Sequence, residues 1–186
     1  MKTRMILGAA AALALGLSFG APASRAEDNN ADWQACEKTE DSAGQIAACS
    51  KIVSNATLTA DDRAEAYYLR ANAYGDKGEF DKAIADYTKA IELGEYDVFY
   101  ASRCWAYGQV KDTAHALQDC DKAIALNPNL ALAYVNRGVI YEDKGDIAKA
   151  IESYRAALAV KTDIEDELMG QDDAKAALER LGHKAG

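Results

Sequence analysis

The chain has 186 residues, 49% apolar and 27% charged, which suits one globular domain with a core of its own. Its formal charge is −9, and so acidic a field repels phosphate backbones and anionic lipid surfaces, which argues against nucleic acid or a membrane surface as partner. Only two histidines occur, His115 and His183, with no metal-binding or nucleophile motif around either and no glycine-rich phosphate loop in the chain. The expectation is therefore a protein that is not an enzyme and holds neither metal nor cofactor.

The first thirty residues, "MKTRMILGAAAALALGLSFGAPASRAEDNN", have the three parts of a secretory signal. Lys2 and Arg4 start it, Met5 to Phe19 form an apolar run, and small residues at Ser24 and Ala26 permit cleavage, so residues 1–26 are expected to be removed after Ala26, with Ala23 as the alternative. The apolar run is shorter than the roughly 20 residues of a membrane-spanning helix, so no stable membrane insertion is expected once the signal is removed. Removal takes away Lys2, Arg4 and Arg25 and no acid, which moves the charge to −9 − 3 = −12. The expected location is periplasmic or secreted.

Next come "DWQACEKTE" (Asp32 to Glu40) and "QIAACSKIV" (Gln45 to Val53), read as the two helices of a divergent hairpin over residues 27–63. Three near-copies of one stretch follow: "EFDKAIADYTKAIEL" (Glu79 to Leu93), "DTAHALQDCDKAIAL" (Asp112 to Leu126) and "DIAKAIESYRAALAV" (Asp146 to Val160). Upstream of each, Tyr67, Tyr100 and Tyr134 fall in one column and Tyr74, Tyr107 and Tyr141 in another. Polar turns at "GDKGEF", "GQVKDT" and "EDKGDI" split each copy into two helical runs, so the spacing predicts hairpins over 64–96, 97–130 and 131–163. Finally "DDAKAALERL" (Asp172 to Leu181) predicts a capping helix within 164–186, acidic at its start, with Arg180 near its end, Gly182 beyond, and a narrow stripe of Ala174, Ala177, Leu178 and Leu181.

The columns Tyr67, Ala71, Tyr74, Ala83, Tyr87, Ala90 and their counterparts, with Pro128 closing the second copy, resemble the tetratricopeptide repeat family. That resemblance implies an all-α fold, an α-solenoid of stacked helix-turn-helix hairpins: three recognisable repeats, the divergent amino-terminal hairpin and the carboxy-terminal cap. Two departures stand out: the usual leucine is replaced by Arg70, Arg103 and Arg137, and the closing proline occurs once. Asp86 and Asp119 sit about opposite the first two arginines, whereas Ser153 occupies that column in the third copy and leaves Arg137 to a neighbouring unit, to water or to another role.

Export implies an oxidising compartment, where four cysteines normally form disulfides, and three pairings are possible in principle. Cys104 and Cys120 lie across one hairpin from each other. Cys36 and Cys49 lie on the two helices of the first hairpin, about one turn out of step unless the turn around "EDSAG" is short or irregular. The expected pairs are Cys36–Cys49 and Cys104–Cys120. Reactive thiols are the rival reading, and the absence of a CxxC pair speaks against a thioredoxin-like role or a zinc site.

The resemblance further implies a concave groove lined by the first helices that takes up a peptide or protein segment. The groove columns give Tyr68, Asn72 and Asp76, then Ala101, Trp105 and Gln109, then Val135, Val139 and Glu142, with Trp105 as the anchor candidate. The terminal-carboxylate clamp of one subfamily is not carried over: Asn72 and Asn136 fall in clamp columns, but Tyr68, Ser102 and Leu132 stand where its other polar and basic residues would. The expected function is a non-enzymatic adaptor or scaffold of the bacterial envelope, binding a partly apolar or basic segment, with self-association through the end faces also permitted. The alternative is an accessory redox or envelope-hydrolase protein whose chemistry sits in the amino-terminal segment or the cysteines.

Overall fold

The structure, a computed structural model, describes residues 30–38, 41–161 and 165–183. The expected signal segment and its cleavage site lie outside the described residues. Nine helices and no strands occur among those described, so the fold is all-α as expected. The chain divides near residue 95 into two compact units.

The first unit holds α1 (Asn30–Glu37), α2 (Ser42–Ser54), α3 (Ala60–Asp76) and α4 (Phe80–Leu93). Each start has a local cause. Asp41 caps α2 by accepting from the Ala43 amide at 3.2 Å, and Thr59 caps α3 by accepting from the Asp62 amide at 3.1 Å while its hydroxyl donates to Asp62 Oδ2 at 2.7 Å. Because Thr59 is so good a cap, α3 starts about a turn before the repeat boundary expected at residue 64. Cys36 on α1 and Cys49 on α2 face each other and form a disulfide with Cα atoms 4.9 Å apart. Between α3 and α4 the column of small residues does what close packing requires: Ala71, Ala83 and Ala90 are fully buried, and Tyr87 fills the space beside them.

The second unit holds α5 (Asp97–Gln109), α6 (Thr113–Leu126), α7 (Ala131–Asp143), α8 (Ile147–Ala159) and α9 (Glu165–Arg180). Asp112 caps α6 through the His115 amide and Asp146 caps α8 through the Lys149 amide, each at 3.3 Å. Inside the first of these hairpins Cys104 and Cys120 form the second disulfide, Cα to Cα 5.3 Å, fully buried and standing where the next hairpin has Gly138 and Tyr154. Gly138 is required there, since a β-carbon would lie 2.5 Å from Tyr154 Cε1. The hairpin turns need a left-handed residue: Gly145 supplies it at φ 82°, as Gly78 does in the first unit at 72°, but the α5–α6 turn uses Lys111 at 61°.

The cap α9 is longer than the stripe that predicted it and begins before Asp172. Ala174, Ala177 and Leu178 are buried in one cluster with Ala131, Val135, Ala150 and Tyr154 of α7 and α8. Burying a leucine such as Leu178 contributes about 1.5–3 kcal/mol. Polar contacts fix the register. Gln171 Nε2 donates to the Val160 carbonyl near the start, and Arg180 grips Glu142 at the end, its Nη2 2.9 Å from Oε2.

Candidate functional site

The columns expected to face an open groove divide by burial. In the first unit Asp76 is exposed, but Tyr68 and Asn72 are 8% and 5% exposed. Asn72 is committed to the core: its Oδ1 accepts from the Tyr87 hydroxyl at 2.6 Å, and the Tyr68 and Tyr87 rings lie 5.9 Å apart. In the second unit Gln109 is exposed and Trp105 half-buried, whereas Ala101 is fully buried and accepts, through its carbonyl, the Asn136 amide at 3.1 Å. Both asparagines in clamp columns therefore serve the packing.

The third-repeat part of the expected groove requires a correction. Val135 is 1% exposed, and Val139 is half-buried against the cluster that includes Ala174, Ala177 and Leu178. Glu142 accepts from Arg180 and, at 3.0 Å, from the Tyr154 hydroxyl. The helix α9 occupies this face, because an apolar strip at the end of a repeat array must be covered by something. Arg180 holds the Glu142 carboxyl below its ordinary value, while burial, followed by the Glu142 charge, pushes the Tyr154 phenol well up. The cap stripe is legible in the sequence, whereas its seat over Val135, Val139 and Glu142 is decided by contacts between helices, with Arg180 at the helix end the one sequence signal for it.

The arginines standing in the leucine column make a regular lattice. Arg70 is bidentate on Asp86 at 2.6 and 2.9 Å, and its third nitrogen donates to Ser50 of the preceding hairpin at 2.9 Å. Arg103 is bidentate on Asp119 at 2.7 and 2.9 Å. Arg137, with Ser153 in its own hairpin at 3.2 Å, reaches Asp121 of α6 at 2.8 Å. That is the neighbouring-unit partner the sequence left open, and it gives Arg137 a structural role. The hydrogen bond to Asp86 is the largest cause of the raised Arg70 pKa, which keeps the guanidinium charged in its half-buried place.

All four cysteines are in buried disulfides, and His115 Nδ1 lies 2.7 Å from Asp112 Oδ2 on an exposed turn. One feature escaped the sequence reading: a cavity of about 440 Å³ on the α5–α6 hairpin, lined by Tyr100, Arg103, Tyr107, His115, Gln118, Asp119 and Lys122. The tyrosine columns that include Tyr100 and Tyr107 are the sequence signal for that face.

Residues 64–97 and 131–161 match the family model "Tetratricopeptide repeat". The segment between them carries the departures already described, with Cys120 in the aromatic column and Lys111 in the glycine position, though α5 and α6 form the same hairpin. Hsc70-interacting protein 1 of Drosophila melanogaster is 41% identical over 98 residues, 52% of this chain, and the chain spans 25% of that relative's length. Among solved structures, one of MamA superposes with a TM-score of 0.59 at 25% identity, over 83% of this chain and 92% of that one. The first tetratricopeptide domain of Spaghetti (RPAP3), bound to the HSP90 peptide SRMEEVD, gives 0.52 at 28% identity, over 64% and 95%. Columns of small residues, paired helices and these likenesses agree: two segments, 64–97 and 131–161, match the tetratricopeptide repeat, and the fold is an all-α helical repeat.

Proposed function

We propose that this protein is a non-enzymatic adaptor that binds a segment of a partner protein along the first helices of its repeats, and that it works outside the cytoplasm. The carrying observation is the repeat match at 64–97 and 131–161, together with the likeness to a domain bound to a peptide. Within the second unit the accessible part of the binding face is Trp105 and Gln109 on α5, and within the first it is Asp76 at the end of α3. No lysine or arginine stands in these columns, and Asn72 and Asn136 are spent on internal hydrogen bonds, so the favoured segment is apolar or basic rather than a terminal carboxylate.

Export is supported by the leader composition and by two cysteine pairs in disulfide geometry, which suits an oxidising compartment such as the periplasm. The redox alternative is disfavoured by burial, since a disulfide with no exposed surface offers nothing to an incoming thiol. Affinity capture from the native envelope tests the adaptor reading: partners recovered on the wild type are lost with Trp105→Ala and Asp76→Lys combined, and an unchanged recovery sinks the groove. Fractionation with amino-terminal sequencing tests export, the expected first residue being Glu27.

A further inference from the structure

Two sets of contacts fix which way the flanks of α9 point. Gln171 on one flank donates to the carbonyls of Val160 and, at 3.4 Å, of Ala157, so that flank lies toward α8. Arg180 on the opposite flank bonds Glu142 of α7, and Asp173, two turns earlier on the same line of the helix, points to that side as well. The helices α7 and α9 run parallel in one register. Glu142 and Arg180 are 38 residues apart, and a β-carbon on Gly170 would lie 3.4 Å from the Leu132 amide nitrogen, the same separation along the chain. Asp173 is therefore level with Val135, between Leu132 and Val139.

The cap does not close the whole of α7. Its stripe buries Ala131 and Val135, but Leu132 and Val139, turned toward α5, remain only half-buried. The helix α5 borders them, since Asn136 of α7 bonds the Ala101 carbonyl and the half-buried Trp105 stands one turn beyond Ala101. An apolar strip of Leu132, Val139 and Trp105 thus runs between α5 and α9, with Asp173 on its α9 edge. Of the other charges near it, Arg180 is engaged by Glu142, and Asp143 by Lys111 at 2.6 Å. Asp173 is exposed and has no ion pair among the described residues, and the neighbouring charge that acts on it is another acid, Asp172.

We propose that this strip takes an extended segment of a partner protein that carries two apolar residues three positions apart and a lysine or arginine between them. One apolar residue lies on Leu132, the other on Val139 and Trp105, and the cation reaches the Asp173 carboxylate. Leu132 and Val139 are about 10.5 Å apart along their helix, which about three residues of extended chain span. The carboxylate level with the middle of the strip favours a cation there and repels an acid, so it acts on the choice of partner more than on the strength of binding. The inference rests on the adaptor reading and makes its partner specific, because it adds α9 to the walls of the groove.

Fluorescence anisotropy on the full, disulfide-bonded protein at physiological salt tests it, with end-labelled Gly-Ser-Leu-Lys-Ser-Leu-Ser-Gly and a counterpart carrying glutamate for lysine as probes. The expected result is saturable binding of the lysine peptide, about tenfold weaker binding of the glutamate peptide, and the reverse order with Asp173→Lys. That substitution lies on an exposed position, and circular dichroism checks that the fold is kept. Trp105→Ala is expected to weaken both peptides alike. No saturable binding of the lysine peptide, equal binding of the two peptides, or an order unchanged by Asp173→Lys overturns the inference. If Trp105→Ala still weakens both peptides in the last two cases, the groove stands without its acidic edge; indifference to Trp105→Ala removes the groove itself.

Discussion

At the scale of single residues, Lys111 is the clearest misfit. Its φ of 61° lies where a β-carbon crowds the carbonyl, and its exposed pair with Asp143 at 2.6 Å returns little. Lys111→Gly is therefore expected to raise the unfolding free energy by up to about 1 kcal/mol, read as a higher urea midpoint, as the glycines at 78 and 145 already avoid the strain. The opposite holds for Asp86. Its side chain is 10% exposed and both oxygens bind Arg70, so Asp86→Ala strands a partly buried guanidinium and is expected to cost about 3 kcal/mol. Replacing both Arg70 and Asp86 by leucine is expected to cost far less, which a double-mutant cycle of urea midpoints would show; equal losses for the pair and the single change would contradict the lattice reading.

At the scale of elements, α9 shows how one helix is fixed at both ends. Its apolar stripe supplies the seat and Glu142–Arg180 supplies the lock. Because Glu142 titrates below its ordinary 4.5 in the folded protein, the lock contributes fully above that value and is lost as pH falls through the folded, lower one. Hydrogen exchange in α9 is expected to rise in that acid range, and Arg180→Ala is expected to remove this part of the pH dependence. The α5–α6 hairpin is fixed covalently instead. With a sequence separation of 16, replacing Cys104 and Cys120 by alanine is expected to cost about 3 kcal/mol in urea denaturation, and an unchanged midpoint would mean that the cystine adds nothing to the packing.

At the scale of the whole molecule, the sequence by itself determined the kind of fold. Short side chains recurring with tyrosines require paired helices wherever they occur, and Ala71, Cys104 and Gly138 all lie at the helix crossings their columns indicate. Pairings that depend only on facing positions in one hairpin, Arg70 with Asp86 and Arg103 with Asp119, were legible for the same reason. What only the tertiary structure decided is which face stays open. Tyr68, Asn72, Ala101 and Val135 share a helical period with Asp76, Trp105 and Gln109, and periodicity alone does not distinguish a groove from a seam between neighbouring helices. Adjacent first helices, Asn136 bonding Ala101 across them, and α9 lying over Val135 and Val139 bury that strip through contacts between residues far apart in the chain, and a repeat pattern read one unit at a time carries no term for its neighbours.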